Sequence, residues 1–147
     1  VNVASHLWTG WEPGITGQIN VNDGGIINVT GMLGLNWRNN GAIGLLNIND
    51  GGIANLNQIH SDGNSIRGSS LLTIAGSGML TKSGNFETVI QTQYIDTGKI
   101  VGAGGAPLGI SYDSNSDLTF VSIVPEPSTL GLLGAFGALG LLRRRRS

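Results

Sequence analysis

Two aspartates occupy equivalent places in this 147-residue chain and raise the first question of chemistry. Asp23 and Asp50 each follow a stretch of alternating apolar and polar residues, and each precedes Gly-Gly. If these stretches stack as strands, the two carboxylates lie within about 5 Å, and Ca²⁺ would relieve their repulsion because it prefers oxygen ligands. A third related stretch carries Gly76 at this position, and the Gly-Gly-x-Gly-x-Asp pattern of calcium-binding repeats is absent. Two solvated turn aspartates are therefore the simpler interpretation, and we expect no metal and no cofactor.

The histidines are the next candidates, and only His6 and His60 are present. His60-Ser61-Asp62 contains the residue types of a hydrolase triad. A triad is defined by geometry in the folded protein and not by adjacency in the sequence, so we expect a polar loop here.

Basic and aromatic residues are the remaining candidates for binding or catalysis. The basic residues of the body are spread along the chain, at Arg38, Arg67, Lys82 and Lys99. Three indole rings can stack on sugars if exposed, or pack in a core or cap, namely Trp8, Trp11 and Trp37. Residues 1–123 hold four basic and eight acidic residues, a net charge of −4, so nucleic acid is not an expected partner. A polysaccharide-cleaving face would need carboxylates and basic residues grouped together. They are scattered in this sequence, so we do not expect the chain to be an enzyme.

The C-terminal residues combine three parts in a fixed order. Pro125 and Pro127 force Val124 and Glu126 toward extended geometry, which makes a stiff and accessible peptide. A charge-free run follows from 130 to 142, and its helix would be about 20 Å long, shorter than the roughly 30 Å hydrocarbon core. The expected membrane contacts are Leu130, Leu132, Leu133, Phe136, Leu139, Leu141 and Leu142. The cytoplasmic stop consists of Arg143, Arg144, Arg145 and Arg146.

Residues 124–147 resemble the PEP-CTERM sorting signal of Gram-negative bacteria, with the motif Pro125-Glu126-Pro127, the apolar helix and the arginine tail all present. The resemblance implies recognition by an exosortase and removal of the tail. It implies a transient inner-membrane anchor with the C-terminus cytoplasmic, followed by release to the cell surface or the extracellular matrix. The alternative is a plain tail anchor that carries Pro-Glu-Pro by chance.

The composition of the rest of the chain is typical of a β protein without disulfides. The chain begins at Val1 with no charged and apolar leader, so we expect a processed form or a fragment of a longer protein. It has no cysteine, and 25 glycines accompany abundant Asn, Ile and Leu. This composition is typical of many short strands joined by tight turns.

An internal repeat organises the body of the chain. Residues 17–29 read GQINVNDGGIINV, and residues 44–56 read GLLNINDGGIANL at an offset of 27. A weaker copy, SLLTIAGSGMLTK, occupies 70–82. Apolar and polar residues alternate, which predicts strands with one buried face, and Asp-Gly-Gly predicts a turn. The aligned apolar triples are Ile19/Leu46/Leu72, Val21/Ile48/Ile74 and Ile26/Ile53/Met79.

A period of 26 or 27 residues fits one coil of a right-handed parallel β-helix with about three short strands per turn. We therefore expect the first two triples to face inward and to stack vertically. Asparagines at aligned positions would form amide ladders, and the pairs are Asn20/Asn47, Asn22/Asn49 and Asn28/Asn55. The third strand is expected near Leu33–Trp37 in one coil and Ser65–Arg67 in the next. Asn57, directly after the second copy of the repeat, is expected in a loop. A β-sandwich or a series of hairpins is the alternative fold, because Asp-Gly-Gly also suits antiparallel hairpins.

The body, over roughly residues 15–83, also resembles the Gly/Asn-rich β-helical regions of autotransporter-like surface proteins, through INVNDGGIINV and LNINDGGIANL. The predicted organisation is all-β: an N-terminal flank (1–14), β-helix repeats (15–83), a C-terminal cap (84–123), and an extended linker with one short hydrophobic helix (124–147). The predicted function is that of an exported structural protein of the cell surface, extracellular matrix or biofilm. The alternative is a fragment of an extracellular protein that binds or degrades polysaccharide.

Overall fold

The structure is a computed structural model, and it describes residues 1–125. The helix α1 spans Glu87–Ile90, a π-helical turn spans Gln91–Ile95, and a 3₁₀ turn spans Ala103–Gly105. The strands in chain order are β1 (Asn2–Val3), β2 (Leu7–Thr9), β3 (Thr16–Val21), β4 (Ile26–Leu35), β5 (Ile43–Ile48), β6 (Ile53–Gln58), β7 (Leu71–Ile74), β8 (Met79–Ser83), β9 (Ile100–Gly102), β10 (Leu108–Asp113) and β11 (Leu118–Ile123).

Two parallel sheets wind into a β-solenoid of about four turns, as the repeat predicts. One sheet has the order β3-β5-β7-β9, and every pair in it is parallel. The other has the order β1-β4-β6-β8-β11-β10, and its last two pairings, β8 with β11 and β11 with β10, are antiparallel. Each coil therefore places one strand in each sheet, and neighbouring coils bond to each other along the length of the stack.

A third, shorter face completes the coil where the sequence predicted a third strand. The end of β4 leaves the second sheet and pairs with β2, with Trp8 opposite Gly34. Leu35 then bridges Ile66 in the following coil. The candidate third strands around Leu33–Trp37 and Ser65–Arg67 therefore do lie together, although only one β-bridge joins them.

The predicted register is confirmed. Ile19 pairs with Leu46 and Leu46 with Leu72, while Val21 pairs with Ile48 and Ile48 with Ile74. All of these side chains are buried except Ile19, which belongs to the first coil and is half-buried. The third triple is also in register, but its residues point outward, and the buried column of that sheet is formed by Ile27, Ala54 and Leu80.

The chain beyond the repeats adds one more turn of the solenoid and an antiparallel hairpin. Ile100, in β9, pairs with Leu72 and is fully buried, so the apolar column gains a fourth member. This strand lies inside the segment predicted as a cap from 84 to 123, and the sequence pattern did not separate it. Asn57, which the sequence reading placed in a loop, lies in β6 instead.

Glu126, Pro127, the apolar run from Leu130 to Leu142 and the arginines at 143–146 lie outside the described residues. Within 1–125, no helix has both the length and the apolar character needed to cross a membrane.

Candidate functional site

Stacked polar side chains lie on the outside of both sheets. On the first sheet, Asn47 Nδ2 donates to Asn20 Oδ1 at 2.8 Å, and Asn49 Nδ2 donates to Asn22 Oδ1 at 2.7 Å. The amide ladders predicted from the repeat are therefore present. They bind equivalent residues of successive coils, and so they fix the register of the coils from outside the core.

The ladder on the second sheet is longer than the repeat alone suggested. Asn28 Nδ2 donates to Asn2 Oδ1 at 2.7 Å, and Asn55 Nδ2 donates to Asn28 Oδ1 at 2.6 Å. Thr81 continues the series, because its Oγ1 donates to Asn55 Oδ1 at 2.7 Å. Four successive coils thus share one polar column.

The two turn aspartates each contact the next coil. Asp50 Oδ1 accepts hydrogen bonds from the Ser77 N–H at 2.8 Å and from Ser77 Oγ at 2.5 Å. These two bonds from Ser77 lower the pKa of Asp50 below its ordinary value. Asp23 lies against Gly51, where an added Cβ atom would clash with Asp23 Oδ1. Among residues 1–125, no three His, Cys, Asp or Glu side chains are placed to hold a metal ion.

A cluster of four rings runs along the third face. We call it the aromatic stack, and it consists of Trp8, Trp11, Trp37 and His60. Trp8 stacks on Trp11 with ring centres 4.9 Å apart and on Trp37 with ring centres 5.9 Å apart. Trp37 in turn stacks on His60 at 5.1 Å. The sequence left these side chains as separate candidates, and the structure brings all four together.

Gly34 makes room for the stack. A Cβ atom added at Gly34 would lie 2.9 Å from Trp8 Cδ1 and 3.3 Å from Trp37 Cε3. The indoles therefore pack directly over the glycine backbone, where any larger residue would force them apart.

Because the rings cover each other, the stack offers few open faces to a sugar ring. The Arg38 guanidinium lies 4.1 Å from the centre of Trp11, and that of Arg67 lies 5.0 Å from the centre of Trp37. Trp8 remains 42% exposed, although it stacks on both of its tryptophan neighbours. A sugar ring could stack on one of these indoles only by displacing the aromatic ring or guanidinium group that already lies on it.

The basic side chains, which are scattered in the sequence, each make separate contacts with the fold. Arg67 donates to the Trp37 carbonyl at 2.8 Å and to the Asn64 carbonyl at 3.0 Å. Lys99 Nζ donates to the Gly63 carbonyl at 2.9 Å. Arg38 is paired with Glu12 on the surface at 3.7 Å. The structure does not bring these cations to one groove.

His60, Ser61 and Asp62 form a fixed loop without triad geometry. His60 Nδ1 lies 3.9 Å from Asp62 Oδ1. Asp62 accepts hydrogen bonds from the N–H of Asn64 at 3.0 Å and from its Nδ2 at 2.6 Å, and the first of these is the largest cause of its lowered pKa. The His60 carbonyl accepts a bond from Tyr94 Oη at 2.6 Å, which ties the loop to the segment after the repeats.

The predicted sorting signal begins at the end of the last strand. Strand β11 ends at Ile123, and the Val124 N–H donates to the Pro107 carbonyl at 2.9 Å. Val124 and Pro125 are both exposed. The first residues of the signal are therefore accessible directly next to the folded body.

Comparison with known proteins supports the interpretation of the tail. Residues 124–146 match the family described as the PEP-CTERM protein-sorting motif. No curated protein and no solved structure matches the chain. The motif identifies an exported protein that carries a transient membrane anchor, and motifs of this kind are processed by exosortase, a membrane protein.

Proposed function

We propose that this chain is a structural protein of the cell surface, extracellular matrix or biofilm of a Gram-negative bacterium. In this proposal, an exosortase recognises Pro125-Glu126-Pro127 while the apolar run anchors the chain in the inner membrane. The arginines at 143–146 keep the C-terminus cytoplasmic until the tail is removed. The body then reaches the exterior and acts through its structure, without enzymatic activity.

The observation that carries the proposal is that the sorting motif starts at residue 124, immediately after β11 ends at Ile123. No long linker separates the signal from the solenoid, so the solenoid is the part that sorting would deliver. Its two sheets carry neutral Asn and Thr ladders. Arg67 and Lys99 are bound to backbone carbonyls, which supports a structural role over a catalytic one.

The sorting step is tested by replacing Pro125, Glu126 and Pro127 with alanine in cells that have an exosortase. The protein should accumulate as an uncleaved membrane form, because the recognition motif is lost while the apolar run remains. Membrane fractionation and mass measurement of the C-terminus report both effects. Pro13→Ala, at an exposed proline outside the motif, is the matched control and should be processed normally.

A second variant separates the anchor from the motif. Replacing the arginines at 143–146 with serine should weaken retention and orientation, because cytoplasmic positive charge sets topology. If both variants are processed and distributed like the native protein, the chain has a plain tail anchor and the sorting proposal is wrong.

The alternative is a polysaccharide-binding or polysaccharide-degrading protein, and the partly exposed Trp8 is the observation that favours it. This function predicts that Trp8→Ala abolishes retention on immobilised extracellular polysaccharide. Retention that is equal in Trp8→Ala and the native chain would leave the structural role.

A further inference from the structure

Lys82 occupies a position where the repeat elsewhere places an apolar residue. In the parallel sheet, Val29 pairs with Leu56 and Leu56 pairs with Lys82. Val29 and Leu56 are both 2% exposed, and Lys82 is only 4% exposed. Lys82 is therefore an inward-facing lysine at the end of an apolar column, where a charged group is costly unless it is paired.

The ammonium group of Lys82 has no carboxylate partner among residues 1–125. Its Nζ contacts the Ser83 carbonyl and lies 3.7 Å from the centre of the Phe86 ring. An ammonium group has three N–H donors, so a single carbonyl leaves capacity for an anionic partner. Burial is the larger cause of a lowered pKa at Lys82, and the negative charge of Asp117 acts against it.

A second side chain near Lys82 also has unused hydrogen-bonding capacity. His60 Nε2 is buried and has no hydrogen-bond partner within the described part of the chain. Lys82 and His60 both line a cavity of about 300 Å³. The rest of its wall is formed by Met32, Asn57, Gln58, Ile59, Ser61 and Phe86.

The side chains that line this cavity indicate the chemical class of ligand that it would bind. An unpaired ammonium favours a carboxylate, which would neutralise the buried charge. The amides and the hydroxyl suit a hydroxylated molecule, while Phe86 and Met32 offer apolar contact to the face of a ring. A volume of about 300 Å³ is at the small end for ligand pockets, which suits one sugar unit better than a chain of them.

We propose that the cavity between His60 and Lys82 binds a sugar acid, with the ligand carboxylate on Lys82 Nζ and a ligand hydroxyl on His60 Nε2. This site is separate from the sorting signal, and His60 is the one residue that it shares with the aromatic stack. The ligand is a free uronic acid or a uronic acid unit at the end of a polysaccharide, since both present the same carboxylate and hydroxyls.

The test is calorimetric titration of the full chain in detergent micelles with sodium glucuronate, with glucose as the neutral analogue. Glucuronate should bind saturably and glucose should not. Lys82→Met should weaken glucuronate binding at least about tenfold, because a charged hydrogen bond is lost. Lys99→Met removes another lysine whose Nζ binds a backbone carbonyl, and it should bind like the native chain.

Two further measurements keep the outcome clear. His60→Phe keeps a ring against Trp37 and removes Nε2, so it should bind glucuronate more weakly than the native chain. Thermal unfolding of Lys82→Met should occur at the native temperature or higher, because the variant replaces a buried unpaired charge with an apolar residue of similar length. A glucuronate-capped oligosaccharide that binds as well as the monomer would assign the site to a polysaccharide end.

The proposal is overturned if the folded native chain shows no saturable binding of glucuronate, if glucose binds equally, or if Lys82→Met binds unchanged. An absence of binding together with a lower unfolding temperature for Lys82→Met would assign the lysine to the fold alone.

Discussion

Between Thr16 and Ser83 the chain repeats one pattern, whereas residues 84–125 use no repeat and join the same stack. In the repeats, equivalent residues pair across successive coils, as Val21, Ile48 and Ile74 do. In the later segment, a short helix and a π-helical turn precede an antiparallel hairpin, and the second strand of this hairpin returns to pair with β8. The repeats are therefore held together by many equivalent contacts, whereas residues 84–125 are held by contacts that occur only once.

The largest expected effect comes from the apolar column. Ile48→Asp places an unpaired charge at a fully buried position between Val21 and Ile74. We expect a loss of at least about 4 kcal/mol in the free energy of unfolding. Denaturant unfolding measures it, and Ser69→Asp, at an exposed position, is the control. Equal stability of the two variants would contradict the core assignment.

The joint between the two regions should show a smaller effect. The Tyr94 hydroxyl is buried, donates to the His60 carbonyl at 2.6 Å and accepts from the Ser65 N–H at 3.4 Å. Tyr94→Phe should cost about 1–3 kcal/mol, because two buried groups lose a partner. Tyr112→Phe, which removes a surface bond to Asp117, should cost less.

The pH dependence of the same joint follows from the pKa of Tyr94, which burial raises above its ordinary value. Because the folded state favours the neutral phenol, the stability from this group is complete below about pH 10 and is lost as the pH rises further. The native chain should therefore lose stability more steeply than Tyr94→Phe in alkaline denaturant titrations. Parallel curves would show that the hydroxyl is not held as the structure describes.

The loss of one hydrogen bond in the polar ladder should cost less stability than the largest loss expected for Tyr94→Phe. Asn55→Asp removes the donor to Asn28 Oδ1 and places a negative charge beside that oxygen, for an expected loss of about 1–2 kcal/mol. Asn57→Asp, two residues along the same strand, loses only an exposed bond to the Thr30 carbonyl and should cost under about 1 kcal/mol. Chemical unfolding of both variants ranks them, and the reverse order would remove the ladder as a source of stability.

The smallest effect is expected at the turns. The bonds from Ser77 lower the pKa of Asp50, so the stability that they provide is present at neutral pH and is lost as the pH falls through the acid range. Asp50→Asn should therefore make acid unfolding shallower than in the native chain. Asp23→Asn is the matched control in the preceding turn, and an identical change in both would point to general surface charge.

The repeated region could be predicted from the sequence because residues that align between copies of the repeat also stack on each other in successive coils. The alignment of Ile48 with Val21 predicts that these two side chains pack against each other. The alignment of Asn55 with Asn28 predicts the hydrogen bond between their amides. Aligning Lys82 with Leu56 likewise marks the lysine as inward-facing, a signal that the scattered cations concealed. Asn57 was misplaced because strand β6 continues beyond the aligned pattern.

The later segment and the third face gave no comparable signal. Strand β9 has three residues and is not a copy of any earlier strand, so only its pairing with β7 identifies it. The aromatic stack depends on a glycine, because Trp8 pairs with Gly34 and Trp37 occupies the space above that backbone. Nothing in the spacing of the tryptophans predicts that a residue from another part of the coil fills this gap.

The parallel pairing of successive coils within the repeats also makes the repeat a unit of length. Adding or removing one 27-residue copy would leave each remaining strand with a neighbour of the same kind, and it would change the height of the stack by about 4.8 Å. A protein built this way can change its length in small, equal increments by duplication or deletion within its gene. The last strand and the residues that follow it would be carried along unchanged.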